Sequence, residues 1–279
     1  MNHEEKIIRE NADAAKSFAL LASVQKGQDI TVRDDLFDFQ LLLDAVKLCR
    51  RKGIPIRIID SGSRDVGQLE WLASEGAIVY TSDDAQRDPE GLLSINKATK
   101  QGKSFLAYLH NGPLNPETES VESDWETVMA LGIEGVYIFV SHRENKRDVT
   151  QLASLADDCR RGGSWLVCYH HGDLDSDLLE MARSGAWIHV QDRCLKEVDE
   201  HRLFLDLIRT ARSADGNCVL HLERELAYYS LKDILDAGSI VLFKSELIDY
   251  RSPLKPLQMR ASQMKIDAKA YYLYASFFF

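Results

Sequence analysis

Two hydrophobic periodicities alternate along the chain. Short runs rich in Ile, Val, Tyr and Phe each end in a polar tip, and a segment of about 10 to 18 residues with helical spacing of its apolar positions follows. The runs are ITVRDD from Ile30, IRIIDSG from Ile56, AIVYTSDD from Ala77, SFLAYLHNG from Ser104 and GVYIFVSHR from Gly135, then SWLVCYHHG from Ser164, AWIHVQDR from Ala186, NCVLHLERE from Asn217 and SIVLFKSE from Ser239. Gly53, Gly76, Gly102, Gly132, Gly163, Gly185, Gly216 and Gly238 stand just ahead of the last eight. A glycine there accepts the left-handed conformation that closes a helix before the chain turns into a strand. Strand, helix, strand repeated in this way predicts an α/β fold with a parallel sheet. Ahead of it, Ile7, Ile8, Phe18, Leu20, Leu21 and Val24 fall on one face of a helix predicted over residues 3–26 and stopped by Gly27.

The two halves of the chain resemble each other. CRRKG at Cys49 to Gly53 recurs as CRRGG at Cys159 to Gly163, Leu69-Glu70 matches Leu179-Glu180, and GAIVYTSDD matches GAWIHVQDR with Asp83 opposite Asp192. The period corresponds to four βα units, which points to internal duplication. ITVRDD, with only Ile30 and Val32 apolar, is the poorest of the nine runs; without it eight strands remain between Ile56 and Lys244. The expectation is therefore a single (β/α)8 TIM-type barrel over 1–279, built from two duplicated halves, with an N-terminal helix and a C-terminal extension. The alternative is two tandem doubly wound, flavodoxin- or receiver-like domains, 1–125 and 126–279. The loop-like stretch NGPLNPETESVESD, Asn111 to Asp124, suits either a domain connection or a long loop over an active-site mouth.

Composition narrows the function classes. The net charge of -10 argues against a protein that neutralises nucleic-acid phosphates. Charges interrupt every apolar stretch before it reaches membrane-spanning length, so no membrane association is expected. The charged start MNHEEKIIRENADAAK is unlike a secretory signal, and a cytoplasmic location follows. Cys49, Cys159, Cys168, Cys194 and Cys218 form no CxxC pair and read as reduced, packed thiols.

In parallel α/β proteins the site lies at the carboxyl ends of the strands, where loops converge. The candidate acid/base groups there are Asp60, Asp83, His110, His142 and His170, and the candidate anion binders are Arg64, Arg143 and Lys244. Imidazoles and carboxylates from several strand ends suit general acid/base chemistry or a divalent metal, although no spacing here names a metal site or a cofactor. The adjacent His170 and His171 point to opposite faces if their strand continues through them. His189 and His221 alternate with apolar neighbours inside strands and read as packing residues.

Asp34-Asp35 after a first strand, Asp83 after a third and ALGIEGVYIFVS after a fifth together resemble a response-regulator receiver domain. Val140 or Ser141 occupies the place of that family's lysine; in the second half Lys244 and Asp192 fit the lysine and the phosphoacceptor, but Ser141-His142 replaces the acid pair. The resemblance implies a non-catalytic regulatory or scaffolding protein that binds protein partners. The leading reading is an enzyme acting on a small anionic substrate, phosphorylated ones included. The apolar C-terminal segment YYLYASFFF is expected to mediate homo-oligomerisation or contact with a protein partner.

Overall fold

A computed structural model describes residues 19–27, 30–110, 122–142, 147–222 and 226–243. Its contacts divide the chain into two compact units, 1–110 and 111–279.

The first unit holds β1 (Ile30–Arg33), α1 (Phe39–Lys52), β2 (Ile56–Ile59), α2 (Val66–Ser74), β3 (Ile78–Ser82), α3 (Pro89–Gly102) and β4 (Leu106–His110). All of its strands are parallel, and their order is β1-β2-β3-β4. The second unit holds α4 (Glu122–Ile133), β5 (Tyr137–Ser141), α5 (Val149–Gly162), β6 (Leu166–Tyr169), α6 (Leu178–Arg183) and β7 (Trp187–Gln191). It continues with α7 (Val198–Ser213), β8 (Asn217–Leu222), α8 (Tyr228–Ala237) and β9 (Ile240–Phe243). These strands too are parallel, in the order β5-β6-β7-β8-β9. Residues 19–25 are helical, with Leu20 and Val24 buried as the periodicity requires.

The protein is thus an α/β protein of consecutive parallel βα units, and its strand order within each unit is that of a TIM-type barrel. That order overturns the doubly wound alternative. A receiver-like order inserts the first strand between the second and third, whereas here β2 pairs with both β1 and β3. ITVR, set aside as the weakest run, is also a strand: Ile30 to Arg33 pair in full register with Ile56 to Ile59, and Ile30 is buried. A parallel neighbour supplies the hydrogen bonds that side-chain hydrophobicity alone did not announce.

Local chemistry explains the helix starts. Asp38, Asp65, Asp88 and Asp148 each accept a backbone N–H of the helix that follows, from Gln40, Gln68, Gly91 and Gln151. At the other end the duplicated CRR-x-G motifs adopt one geometry. Gly53 and Gly163 are left-handed, and their N–H groups reach the carbonyls of Cys49 and Arg50, or Cys159 and Arg160. The first arginine of each motif then lies across a glycine of the next connection, Arg50 beside Gly76 and Arg160 beside Gly185. Not every glycine is a left-handed cap. After α3 the left-handed residue is Lys103, while a Cβ on Gly102 would overlap the carbonyl oxygen of Ala73. Gly102 is there to let two helix ends touch.

Both faces of the second unit's strands are buried. Ile138, Val140, Leu166, Cys168, Ile188, Val190, Cys218 and Leu220 form an aliphatic face. Tyr137, Phe139, Tyr169, Trp187, His189 and His221 lie on the opposite one. Their rings pack sideways across the strands, from Tyr137 to Trp165 (5.6 Å) and Trp165 to Trp187 (5.5 Å), and from Tyr169 to His189 (4.3 Å).

Candidate active site

Each strand of the first unit delivers a polar side chain at its carboxyl end. Asp34 heads a 3-10 turn directly after β1 and is buried; one carboxylate oxygen accepts the backbone N–H (3.0 Å) and hydroxyl (2.5 Å) of Ser61. The Asp34 carbonyl receives Arg64 Nε at 3.0 Å and its terminal nitrogen at 2.6 Å, and Arg64 also donates to the Phe37 carbonyl. Arg64 therefore staples the ends of β1 and β2 together, a structural use of a side chain expected to clamp an anion. The receiver pairing of Asp34 with Asp83 has no counterpart, because β2 stands between their strands.

Asp60, after β2, is wholly enclosed. Arg87 binds it with two nitrogens, at 2.7 and 2.9 Å, while Thr81 Oγ1 (2.8 Å) and the Gly62 N–H (2.9 Å) complete its shell. Three donor groups, one of them a bidentate guanidinium, make four hydrogen bonds to it, and the pair pushes the Arg87 pKa up. The geometry makes Asp60 an anchor for the strand ends. Arg87 escaped the sequence reading because it stands among polar residues ahead of α3; its only signal was an arginine shortly after a strand-end acid pair.

Asp83 and His110 do come together. Asp83 opens the 3-10 turn after β3, His110 ends β4, and Oδ2 of the first lies 3.5 Å from Nδ1 of the second. The imidazole is buried, while the carboxylate is 26% exposed. Tyr108 stacks against the ring at 6.2 Å.

In the second unit His142 and His170 meet edge to face at 5.5 Å, just beyond β5 and β6. His142 Nε2 lies 3.8 Å from Cys168 Sγ, whose thiol is raised to about 12 by burial and so stays protonated. His170 Nε2 is 3.0 Å from the Asp173 carbonyl. A carbonyl only accepts, so Nε2 carries the hydrogen of that contact. His171 is half-buried, with Arg193 3.5 Å from its Nδ1; β6 ends at Tyr169, so the strand alternation does not extend to this pair. His189 and His221, read as separate packing residues, are hydrogen-bonded to each other at 2.8 Å. The missed signal was two histidines on one face of adjacent parallel strands.

Arg143 and Lys244 lie outside the described residues, as do the C-terminal aromatic segment and most of the Asn111 to Asp124 stretch. Among the described residues no three or more His, Cys, Asp and Glu side chains gather as a metal site, and no helix is long and apolar enough to cross a membrane.

No protein-family model and no curated protein matches the chain. Among solved structures it is similar to 3-dehydroquinate dehydratase from Aquifex aeolicus VF5, at 14% identity over 85% of this chain and 98% of that one, with a TM-score of 0.36. Orotidine 5'-phosphate decarboxylase from Pyrococcus horikoshii OT3 gives 14% identity over 70% and 92%, with a TM-score of 0.34. The Bacillus subtilis YkuI protein, which has an EAL domain and was solved with c-di-GMP and calcium, gives 16% over 68% and a TM-score of 0.35, and the chain spans 53% of its length. At these identities and scores no activity passes from them to this chain.

Proposed function

We propose that the chain is a cytoplasmic enzyme that performs acid/base chemistry on a small anionic substrate at the carboxyl ends of its strands. The Asp83–His110 dyad carries this reading. A carboxylate beside Nδ1 fixes the imidazole tautomer and stabilises the imidazolium, which leaves Nε2 to take a proton from a substrate carbon or hydroxyl and to return it later. A contact of 3.5 Å is long for a hydrogen bond, and such catalytic contacts tighten when substrate binds. His170, whose Nε2 lies 3.0 Å from the Asp173 carbonyl, is the candidate proton carrier of the second unit. Arg64 is committed to backbone carbonyls of the first unit, and Arg143 and Lys244, the proposed anion binders of the second, lie outside the described residues.

The test is turnover of a panel of small phosphate esters and carboxylates, read together with ligand-induced melting shifts. His110→Gln is expected to lower kcat by about 100-fold or more, and Asp83→Asn to shift the pH–rate profile as well as its height. If no panel member is turned over and none raises the melting temperature, the enzyme reading fails. Stoichiometric metal in protein purified without chelator, lost in His110→Ala or in His170→Ala, would replace acid/base by metal-assisted chemistry in that unit.

A second reading, a non-catalytic protein that binds partner proteins, draws on the internal use of Asp60 and Arg64. It expects a stable dimer or hetero-complex, which light scattering of the purified protein detects, and no effect of His110→Gln on that assembly.

A further inference from the structure

Two imidazoles share one hydrogen bond inside the second unit. His189 Nδ1 and His221 Nε2 stand 2.8 Å apart, both side chains are buried, and their ring centroids are separated by 5.1 Å. In the β7–β8 ladder His189 is opposite Val219 and Gln191 opposite His221, so the rings meet on the diagonal of one face. The contact needs one ring to donate and the other to accept. A proton added to the accepting nitrogen leaves two N–H groups aimed at each other, in a place where water does not reach either.

The surroundings do not favour that added charge. Tyr169 of β6 covers the pair, with its ring 4.3 Å from His189 and 6.1 Å from His221. Leu242 of β9 stands opposite His221, and Gln191 is the next residue on the same face of β7. The 3-10 turn Asp192–Cys194 packs on β8 and brings the buried carboxylate of Asp192 and the exposed guanidinium of Arg193. His171, beside Arg193, repels a proton on His221. Burial is the largest influence: it draws His221 down to about 4 and holds His189 well below the ordinary imidazole range.

We propose that the His189–His221 pair is an acid-sensitive latch on the carboxyl ends of β7 and β8. At neutral pH the shared hydrogen bond ties the two strand ends and the Asp192–Cys194 turn into the aromatic face. On acidification a histidine leaves the pair to take up its proton, and the turn and strand ends open with it. The latch stands apart from the Asp83–His110 reading and holds whether or not that dyad is catalytic.

Hydrogen–deuterium exchange of the intact chain tests it. Between pH 7 and pH 5 the opening equilibrium is expected to rise by about 25-fold if one histidine of ordinary pKa is released, and by several hundred-fold if both are. After correction for intrinsic exchange chemistry, residues 187–194 and 217–222 should show at least a tenfold loss of protection, while β2 and β3 change little. The double variant with His189→Gln and His221→Gln, which keeps polar side chains without an ionisable proton, should abolish the local change. An equal loss in every strand, no loss, or the same loss in the double variant overturns the latch. Nitrogen-15 imidazole spectra of the wild type provide a readout free of any folding defect in the variant. Because the contact joins Nδ1 of one ring to Nε2 of the other, the same tautomer on both rings at pH 7, both Nδ1–H or both Nε2–H, collapsing below about pH 5, is expected; different tautomers on the two rings overturn the pair itself.

Discussion

Asp60 shows how a residue changes meaning once its neighbours are known. From the sequence it is a carboxylate at a strand end; in the structure it accepts four hydrogen bonds, and its guanidinium partner is nearly as enclosed, with side-chain exposures of 0% for Asp60 and 10% for Arg87. Breaking such a pair strands a charge away from water. Arg87→Met is expected to destabilise the protein by about 3 to 5 kcal/mol, read from the urea midpoint, whereas Arg33→Met, whose ion pair with Asp35 is exposed, should change stability little. Asp83 and His110 are the opposite case: two candidates chosen for their residue type and position, 27 residues apart in the chain, that the fold sets side by side. Nothing in the sequence pairs them, because the pairing depends on β3 and β4 being neighbours in register.

At the scale of elements, the alternation of apolar runs and helical segments carried most of the fold. Asp caps, glycine stops and period-2 runs are local devices, so a linear sequence displays them. Two details needed the structure. The run at Ile30 became a strand because β2 offered it a ladder, and the glycines ahead of the strands divided into two kinds. Gly53 is left-handed in open space, and Gly102 is a close approach between helix ends. The division predicts different costs for one substitution. Gly53→Ala should cost about 1 to 2 kcal/mol, the strain of a left-handed residue with a Cβ. Gly102→Ala should cost more, because the new Cβ meets the Ala73 carbonyl and the helix ends must move apart. Thermal or urea denaturation of the two variants ranks them, and equal costs would mean that Gly102 is only another cap.

For the molecule as a whole, pH is the lever that the buried imidazoles expose. Both His189 and His221 are held below the ordinary value of 6.5, so on acidification the unfolded chain takes up protons first. Stability is therefore independent of this pair above about pH 7, falls as pH drops through 6.5, and levels off for His221 near its folded value of about 4. That interval corresponds to about 3 kcal/mol from His221 alone. Urea midpoints at pH 7.5 and 5 measure the upper part of it, about 2 kcal/mol from His221, and a variant with His221→Gln should lose that share of the difference. The sequence by itself determined the fold class, the elements and their parallel direction, because hydrophobic period, capping and turn chemistry act between residues close in the chain. Only the tertiary structure decided the consecutive strand order, the enclosure of Asp60 by Arg87, the meeting of Asp83 with His110 and the bond between His189 and His221. The last three are contacts between side chains 27 to 32 residues apart in sequence, fixed by which strand lies beside which and in what register.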